Sequence, residues 1–193
     1  MLYLKKPDTD EVRAFIERRR NSEFSYAAVG ASAGAAPEGY NVDHNRCLLG
    51  RGVEDFERAK NAIRQWKMFD LSWVEAFPPA AIEAGAVAAI LVRHFGIWSL
   101  NACRIVYVFD EQESPIERFG FAYGTLAEHA ESGEERFTIE YDPGSGEVCY
   151  DLYAFSRPNQ WFAKIGYSAA RRLQREFAAG SLAAMIRDTS SFK

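Results

Sequence analysis

Apolar residues recur with a helical period in three places along the chain, and each place predicts a helix. The stripe near the N-terminus, which follows capping residues at Asp8 to Glu11, consists of Val12, Phe15 and Ile16. The second stripe consists of Phe56, Ala59, Ile63 and Trp66. The third follows Arg157-Pro158-Asn159 and consists of Phe162, Ile165, Ala169, Leu173 and Phe177. This last helix is long and must bury its stripe against another layer.

Between the second and third helices the apolar period falls to two, which predicts strands. Six segments show this period: 72–77, 86–95, 99–110, 117–126, 135–142 and 147–155. Two short strands are also predicted at 26–30 and 45–49, on either side of a loop of small residues that includes Ala31–Ala36. The connections between the six strands are short, which favours antiparallel hairpins. The pattern therefore predicts an α+β domain with a long C-terminal helix on a curved antiparallel sheet.

The segment Arg118–Leu126 places large and small residues on opposite faces of one predicted strand. Phe119, Phe121, Tyr123 and Thr125 alternate with Gly120, Ala122 and Gly124. The bare face either admits a backbone or a ligand at close range, or accommodates a bend in the strand. The rings either fill the core or line a cavity. Tyr107 and Phe137 have similar alternating positions on other predicted strands.

Titratable side chains are concentrated around His129, with Glu131 and Glu134 shortly after it. A histidine beside carboxylates can serve in acid–base chemistry, because nearby negative charge raises its pKa toward neutrality. The same composition is common in a solvated hairpin loop, and this interpretation is preferred. The histidines His44, His94 and His129 lack the spacing of metal ligands, so no metal site is predicted.

Composition narrows the functional classes without choosing among them. The chain has 193 residues and a formal charge of −4, which favours one domain and argues against a broad nucleic-acid-binding surface. Three cysteines that are far apart in the sequence are typical of reduced thiols in a cytoplasmic protein. No apolar run is long enough to span a membrane, so we expect no membrane insertion. The sequence contains no signal for a particular oligomeric state.

Four segments of the chain together carry a resemblance to a known family. They are Gly50-Arg51-Gly52 before the second helix, Arg118–Leu126, His129 with Gly133–Phe137, and Ser156-Arg157-Pro158. From about Tyr26 to Met185 the chain resembles the bacterial and plant family catalogued as domain of unknown function 1990, or UPF0548. That family is related to the birch-pollen-allergen and START-like superfamily. The resemblance implies a helix-grip fold, in which about six to seven antiparallel strands wrap around the long C-terminal helix.

The same resemblance implies a hydrophobic cavity between sheet and helix, and no particular reaction. We expect a helical arm at residues 1–24 and a single helix-grip domain at residues 25–193. The expected function is to bind a small apolar molecule, with no cofactor and no metal. The residues expected to line the cavity are Tyr107, Phe119, Phe121, Tyr123, Thr125, Phe137 and Phe162. The N-terminal helix or the loop at 31–36 would cover its mouth.

Two alternatives remain open at this point. An enzyme would use His129, Glu134 and Tyr123, with Glu131 nearby, as acid–base groups on a molecule held in the cavity. A regulatory or protein-interaction module would instead present a terminal helix to a partner. It would need an exposed apolar patch larger than is usual on a monomer.

Overall fold

An antiparallel sheet forms the frame of the protein. The computed structural model describes residues 1–112, 114–159 and 167–190. Within that part of the chain the strands are β1 (Leu2–Tyr3), β2 (Asn41–Arg51), β3 (Val74–Phe77), β4 (Val87–His94), β5 (Ile97–Glu111), β6 (Glu117–Thr125), β7 (Glu131–Tyr141) and β8 (Glu147–Pro158). Their order across the sheet is β2-β8-β7-β6-β5-β4-β3, and β1 pairs with the beginning of β5.

The connectivity of the sheet combines local and distant pairings. Strands β3 to β8 pair with their neighbours in sequence, as expected for successive hairpins. Strand β2 instead pairs with β8, in a register that runs from Asn41 opposite Ser156 to Arg51 opposite Glu147. Register shifts interrupt the β2–β8 and β5–β6 pairs, and such bulges bend a sheet and increase its twist.

Within the described ranges three α-helices pack against this sheet: α1 (Thr9–Arg19), α2 (Val53–Arg64) and α3 (Tyr167–Thr189). Helix α1 begins with a reciprocal cap, in which the Asp8 carboxylate accepts the Glu11 N–H and the Glu11 carboxylate accepts the Asp8 N–H. Helix α2 begins immediately after β2 because Gly52, with φ of 84°, turns the chain. The sheet surface that carries α2 and α3 is called the inner face below, and the opposite surface the outer face.

Large rings fill one half of the inner face, beneath α2. Phe121 and Phe137 are fully buried there with Ile139. The Trp66 ring lies 5.1 Å from the Phe121 ring, and the Phe69 ring lies 5.5 Å from the Phe137 ring. This region is called the filled half. Such contacts between buried rings are typical of a protein core.

Helix α1 packs on the outer face. Val12 and Phe15 are buried against a second cluster that includes Leu91, Leu100 and Leu126. Because strand residues alternate between faces, these leucines point away from the inner core. The expectation that α1 would cover a cavity mouth on the inner face is therefore wrong.

The segment between α1 and β2 also differs from the prediction. Residues 26–30 form turns rather than a strand, and a short 3-10 helix follows at Ala31–Ala33. The segment lies on the outer face, where its 3-10 helix contacts β7 and β8. The loop at 31–36 is thus also remote from the inner face. The division into an arm at 1–24 and a domain at 25–193 stays a prediction.

The helix-grip fold predicted from the resemblance is confirmed, since a bent sheet of seven consecutively paired strands holds the long α3 on its inner face. The six strands predicted from period two are all present, with shifted ends. The largest shift is in β7, which begins at Glu131 rather than Glu135. The predicted solvated loop after His129 is therefore part of the sheet. None of the helices in the described ranges is long and apolar enough to cross a membrane.

Candidate functional site

A cavity of about 440 Å³ lies between the inner face and the N-terminal half of α3. Small residues border it on both sides, among them Gly133 and Ala154 on the sheet and Ala169 and Ala170 on α3. Larger apolar residues complete the wall, among them Ile90, Val92, Leu152, Leu173 and Phe177. We call this region the cavity half of the inner face. The small residues on both sides leave the space between sheet and helix open.

A hydrogen-bonded pair of side chains projects into the cavity from two adjacent strands. Tyr123 on β6 and Glu135 on β7 are opposite each other in the strand register, and the Tyr123 hydroxyl donates to the Glu135 carboxylate at 2.6 Å. Burial raises the pKa of Glu135 to about 7, and the negative charges of Glu131 and Asp43 add to this rise. Burial also raises the pKa of Tyr123 well above its ordinary value. The tyrosine therefore keeps its proton, while the carboxyl changes charge near neutral pH.

Polar contacts tie α3 to the sheet along one edge of the cavity. The Gln174 amide donates to the Glu131 carboxylate and to the Ser156 hydroxyl, the latter at 2.9 Å. The Arg171 guanidinium donates to both carboxylate oxygens of Asp43, at 2.5 and 2.7 Å. Burial raises the pKa of Glu131 despite the hydrogen bond from Gln174. These contacts fix the first turns of α3 against β2, β7 and β8.

A further polar group lies on the opposite wall, on β5. The Asn101 amide nitrogen donates to the Ser99 hydroxyl at 3.2 Å and to the Ile90 carbonyl at 3.4 Å. His94 Nε2 lies 3.2 Å from the same hydroxyl, and burial lowers the pKa of His94. The Asn101 amide oxygen accepts no hydrogen bond from a described residue, so it is available to a ligand.

His129 lies at the edge of the cavity. Its Nδ1 accepts the backbone N–H of Glu131 at 3.0 Å. Burial lowers the pKa of His129 to about 4, so the expected rise toward neutrality beside carboxylates does not occur. The imidazole is neutral at physiological pH, and its proton is on Nε2 because Nδ1 is an acceptor.

Glu134 borders the cavity through its position on β7, but its carboxylate points to the outer face. It accepts the Tyr26 hydroxyl at 2.6 Å and the backbone N–H groups of Gly30 and Ser32 at 2.8 and 2.9 Å. A Cβ atom at Gly124 would lie 2.0 Å from the Tyr26 hydroxyl oxygen. The bare face of β6 thus receives a side chain of the protein at this position rather than a ligand.

The aromatic residues that were expected to line the cavity occupy different places in the structure. Tyr123 borders the cavity. Phe119, Phe121 and Phe137 are buried in the main core and do not border it. Tyr107 lies on the outer face, 2.7 Å from the Ser32 hydroxyl. Phe162 lies outside the described residues.

Thr125 also borders the cavity, but its hydroxyl has partners within the protein. It accepts the Gly133 N–H at 2.9 Å and lies 2.6 Å from the Ser25 hydroxyl. Glu135, Asn101 and Gln174 are polar groups of the cavity that were not predicted from the sequence. For Glu135 the sequence does contain a signal, because the alternation that places Phe137 on the inner face also places Glu135 there.

No group of three or more His, Cys, Asp or Glu side chains within the described ranges is arranged to hold a metal ion. The titratable residues around the cavity instead contact one another in pairs, as Asp43 does with Arg171 and Glu135 with Tyr123. These pairs offer hydrogen bonding, ion pairing and proton exchange at Glu135.

Comparisons with known proteins agree with this architecture. A family model described as domain of unknown function (DUF1990) matches residues 25–184. A UPF0548 protein of Dictyostelium discoideum is 36% identical over 209 residues, which cover 99% of this chain and 97% of the relative. A UPF0548 protein of Deinococcus radiodurans is 38% identical over 196 residues, which cover 92% of this chain and 96% of the relative.

Among solved structures, hypothetical protein jhp0584 from Helicobacter pylori is similar in fold, with a TM-score of 0.52 at 11% sequence identity. The similarity covers 78% of this chain and 88% of that one. At this identity the likeness supports the fold alone. The family model and the sequence relatives together show that the chain belongs to the DUF1990 (UPF0548) family.

Proposed function

We propose that this protein binds a small, largely apolar molecule in the cavity between the sheet and α3. The observation that supports the proposal is the cavity itself, whose volume of about 440 Å³ falls within the range of small-molecule sites. Open space of this size costs packing energy that a purely structural core would recover by filling it. The few polar groups, with Glu135 and Tyr123 among them, would fix the orientation of the ligand.

A matched pair of substitutions on α3 tests this function. Ala170 borders the cavity, whereas Ala183 is exposed on the same helix. Titration with N-phenyl-1-naphthylamine, which is uncharged at neutral pH, should give a saturable increase in fluorescence with one site per chain. Ala170→Phe should fill the space and weaken binding by roughly tenfold or more, while Ala183→Phe should leave it within about twofold. Equal effects of the two variants, or no saturable binding, would contradict the proposal.

Mass spectrometry of small molecules released from the purified native protein provides an independent check. An apolar compound recovered in stoichiometric amount from the wild type, and lost from Ala170→Phe, would identify the natural ligand. The three cysteines are free, which supports a reducing, cytoplasmic location as part of the same proposal. The ligand would then be a molecule present in that compartment.

A second candidate function is an enzyme that transfers a proton within the cavity. The specific observation in its favour is the Tyr123–Glu135 pair, because a buried carboxylate with a pKa near 7 suits a general base. Glu135 takes the role that was expected of Glu134, whose carboxylate is on the outer face. His129 borders the same space in its neutral form.

Exchange of a carbon-bound proton tests the enzyme directly. The apolar ketone 2-tetralone has acidic α-protons, so its exchange in D2O can be followed by proton NMR. Catalysis by the pair predicts exchange faster than in buffer and its loss in Glu135→Gln. An exchange rate equal to that of buffer would count against this candidate while leaving ligand binding intact.

An interaction module has weaker support. The most exposed large apolar side chains of the described residues lie on different elements, including Leu4 before α1, Val53 on α2 and Phe95 between β4 and β5. Scattered apolar residues are normal on a monomer, whereas a docking surface requires a contiguous patch.

A further inference from the structure

We infer that the ligand of this cavity carries a cationic group, most simply a protonated amine, which pairs with Glu135. The inference rests on the proposed function, because it names the chemical class of molecule that the same cavity would take. It follows from the charges, the hydrogen-bonding groups and the apolar walls that the described residues present to the cavity.

The charged residues that border the cavity are acidic. Among the described residues they are Asp43, Glu131, Glu134 and Glu135, and none is lysine or arginine. The positive charge of Arg171 acts on Asp43 and on Glu131, and the Glu134 carboxylate points elsewhere. Asp43 is paired with Arg171, Glu131 accepts from Gln174, and the Glu134 carboxylate is on the outer face.

Glu135 is different, because its only hydrogen-bond partner among the described residues is the neutral Tyr123 hydroxyl. A buried carboxylate that lacks a cation is costly in its charged form, as the raised pKa of Glu135 reflects. A ligand ammonium at hydrogen-bond distance would remove that cost and form a charge-assisted hydrogen bond. A ligand without a cation would not offset the cost of the charged Glu135 carboxylate.

The hydrogen-bonding groups of the cavity point to the same class of ligand. The Tyr123 hydroxyl, the Asn101 amide nitrogen and the Gln174 amide nitrogen all donate to protein acceptors. The second oxygen of Glu135 and the Asn101 amide oxygen remain as acceptors. Asn45 on β2 also borders the cavity, and its amide supplies both a donor and an acceptor. The charged acceptor without a cation is Glu135, and a donor on the ligand would satisfy its second oxygen. The Nε2–H of His129 is a donor, but it lies at the edge.

The walls define the rest of the molecule. Leu173 and Phe177 from α3 and Ile90 and Val92 from β4 enclose the space beside the polar pair. Aromatic or aliphatic carbon would fill this part, and the ring of Phe177 could also contact an ammonium through its face. A free fatty acid would place its carboxylate near Glu135 and Glu131, where like charges repel. The cavity should therefore bind an apolar amine more tightly than an apolar carboxylic acid.

Three probes that share one ring system test this preference: 2-naphthylmethylamine, 2-naphthalenemethanol and 2-naphthoate. Their affinities are measured by isothermal titration calorimetry at about pH 8, where Glu135 is ionised and the amine is largely charged. The wild type should bind the amine at least about tenfold more tightly than the alcohol, and the alcohol more tightly than the carboxylate. In Glu135→Gln the preference for the amine over the alcohol should fall to about twofold or less, with alcohol binding nearly unchanged.

Glu140→Gln is the matched control. Glu140 is on the same strand, where it pairs with Arg118 away from the cavity. This variant should keep the wild-type order of affinities. A carboxylate probe that binds as tightly as the amine, or a preference for the amine that survives in Glu135→Gln, would overturn the inference. Binding of the alcohol in either case would leave the proposed function standing. Failure of all three probes would overturn the inference, and it would overturn the function as well if N-phenyl-1-naphthylamine also fails to bind.

The pH dependence of wild-type binding is a second measurement that does not depend on a variant. Protonation of Glu135 below about pH 7 should weaken binding of the amine and leave binding of the alcohol nearly constant. The groups that act on Glu135 from the surrounding elements are Tyr123, Glu131, Asp43 with its partner Arg171, Cys103 and Tyr150. Affinity for the amine that is flat from about pH 5.5 to about pH 8 would contradict the pairing with Glu135.

Discussion

The two halves of the inner face are built on the same strands but are filled differently. In the filled half, Trp66 and Phe69, which follow α2 in the chain, pack against Phe121 and Phe137 of the sheet. In the cavity half, α3 presents Ala169 and Ala170 to a sheet that offers Gly133 and Ala154. Alternation places side chains on the inner face in both halves, and the size of those side chains contributes to whether a core or a cavity results.

The largest expected effect contrasts a residue from each half. Phe121→Ala should lower the free energy of unfolding by about 3–5 kcal/mol, because it removes a fully buried ring from a close-packed cluster. Leu173→Ala should cost only about 1 kcal/mol, because Leu173 already borders open space and is partly exposed. Urea unfolding of both variants measures the difference. Similar losses would show that the cavity half is as tightly packed as the filled half.

The next effect concerns the charge in the cavity half. The folded-state pKa of Glu135 is raised to about 7 from an ordinary value of 4.5, so folding favours the protonated form. The wild type should therefore lose stability as pH rises from about 4.5 to about 7, and Glu135→Gln should not. At about pH 8 the variant should be more stable by roughly 2 kcal/mol, with little difference near pH 4.5.

Unfolding curves at several pH values measure this effect. Gln keeps an oxygen that can accept from Tyr123, so the hydrogen bond between the strands is retained. A variant that is less stable than the wild type at both ends of the range would show that the carboxylate stabilises the folded protein.

His129 should show the opposite slope. Its pKa is lowered from 6.5 to about 4, so folding favours the neutral ring, and stability should fall as pH drops from about 6.5 to about 4. His129→Asn should remove roughly 1 kcal/mol of this dependence between about pH 7 and about pH 5, because an amide oxygen can still accept the Glu131 N–H.

The measurement is best made in a Glu135→Gln background, where the opposing titration of Glu135 is absent. A slope between about pH 7 and about pH 5 that is unchanged by His129→Asn would show that the ring titrates freely in solvent.

The smallest expected difference separates neighbouring residues on α3. Arg171 reaches across to Asp43 on β2, whereas Arg172 pairs with Glu176 one turn away at the surface. Arg171→Gln should cost about 1 kcal/mol and Arg172→Gln less than about 0.5 kcal/mol. Amide hydrogen exchange should also rise in the first turns of α3 only in the Arg171 variant. Equal behaviour of the two variants would mean that the contact with Asp43 does not hold the helix.

Much of the fold could be predicted because alternation and helical stripes are local signals. The six-strand run and α2 follow from the sequence pattern, and the resemblance supplies the way in which they wrap α3. The turns at residues 26–30 could not be predicted from such local signals. The donors of this segment bind Glu134, more than one hundred residues away in the chain, and that long-range contact replaces the strand expected from Tyr26 to Gly30.

The site was less predictable for a related reason. Which face a strand residue occupies depends on register, so one shift exchanges inner and outer positions. The irregularity between Ile105 and Tyr107 places Tyr107 on the outer face. Because β7 begins at Glu131, Glu134 is also a strand residue, and alternation from the inner Glu135 places it on the outer face. Whether rings fill or line a space further depends on where α2 ends, which no local pattern of the sheet specifies.

The pairing of β2 with β8 has a consequence for how the protein is made. During translation Asn41 is synthesised long before its partner Ser156. The separation is larger still for Asp43, whose partner Arg171 lies 128 residues later in the chain. The first long strand therefore leaves the ribosome with its edge unpaired, and contacts of such long range slow folding. The cavity exists only after α3 has been synthesised and has docked. Assembly of the binding space is thus a late event in the biosynthesis of the protein. A chain interrupted before Tyr167 would display the cavity half of the inner face to solvent.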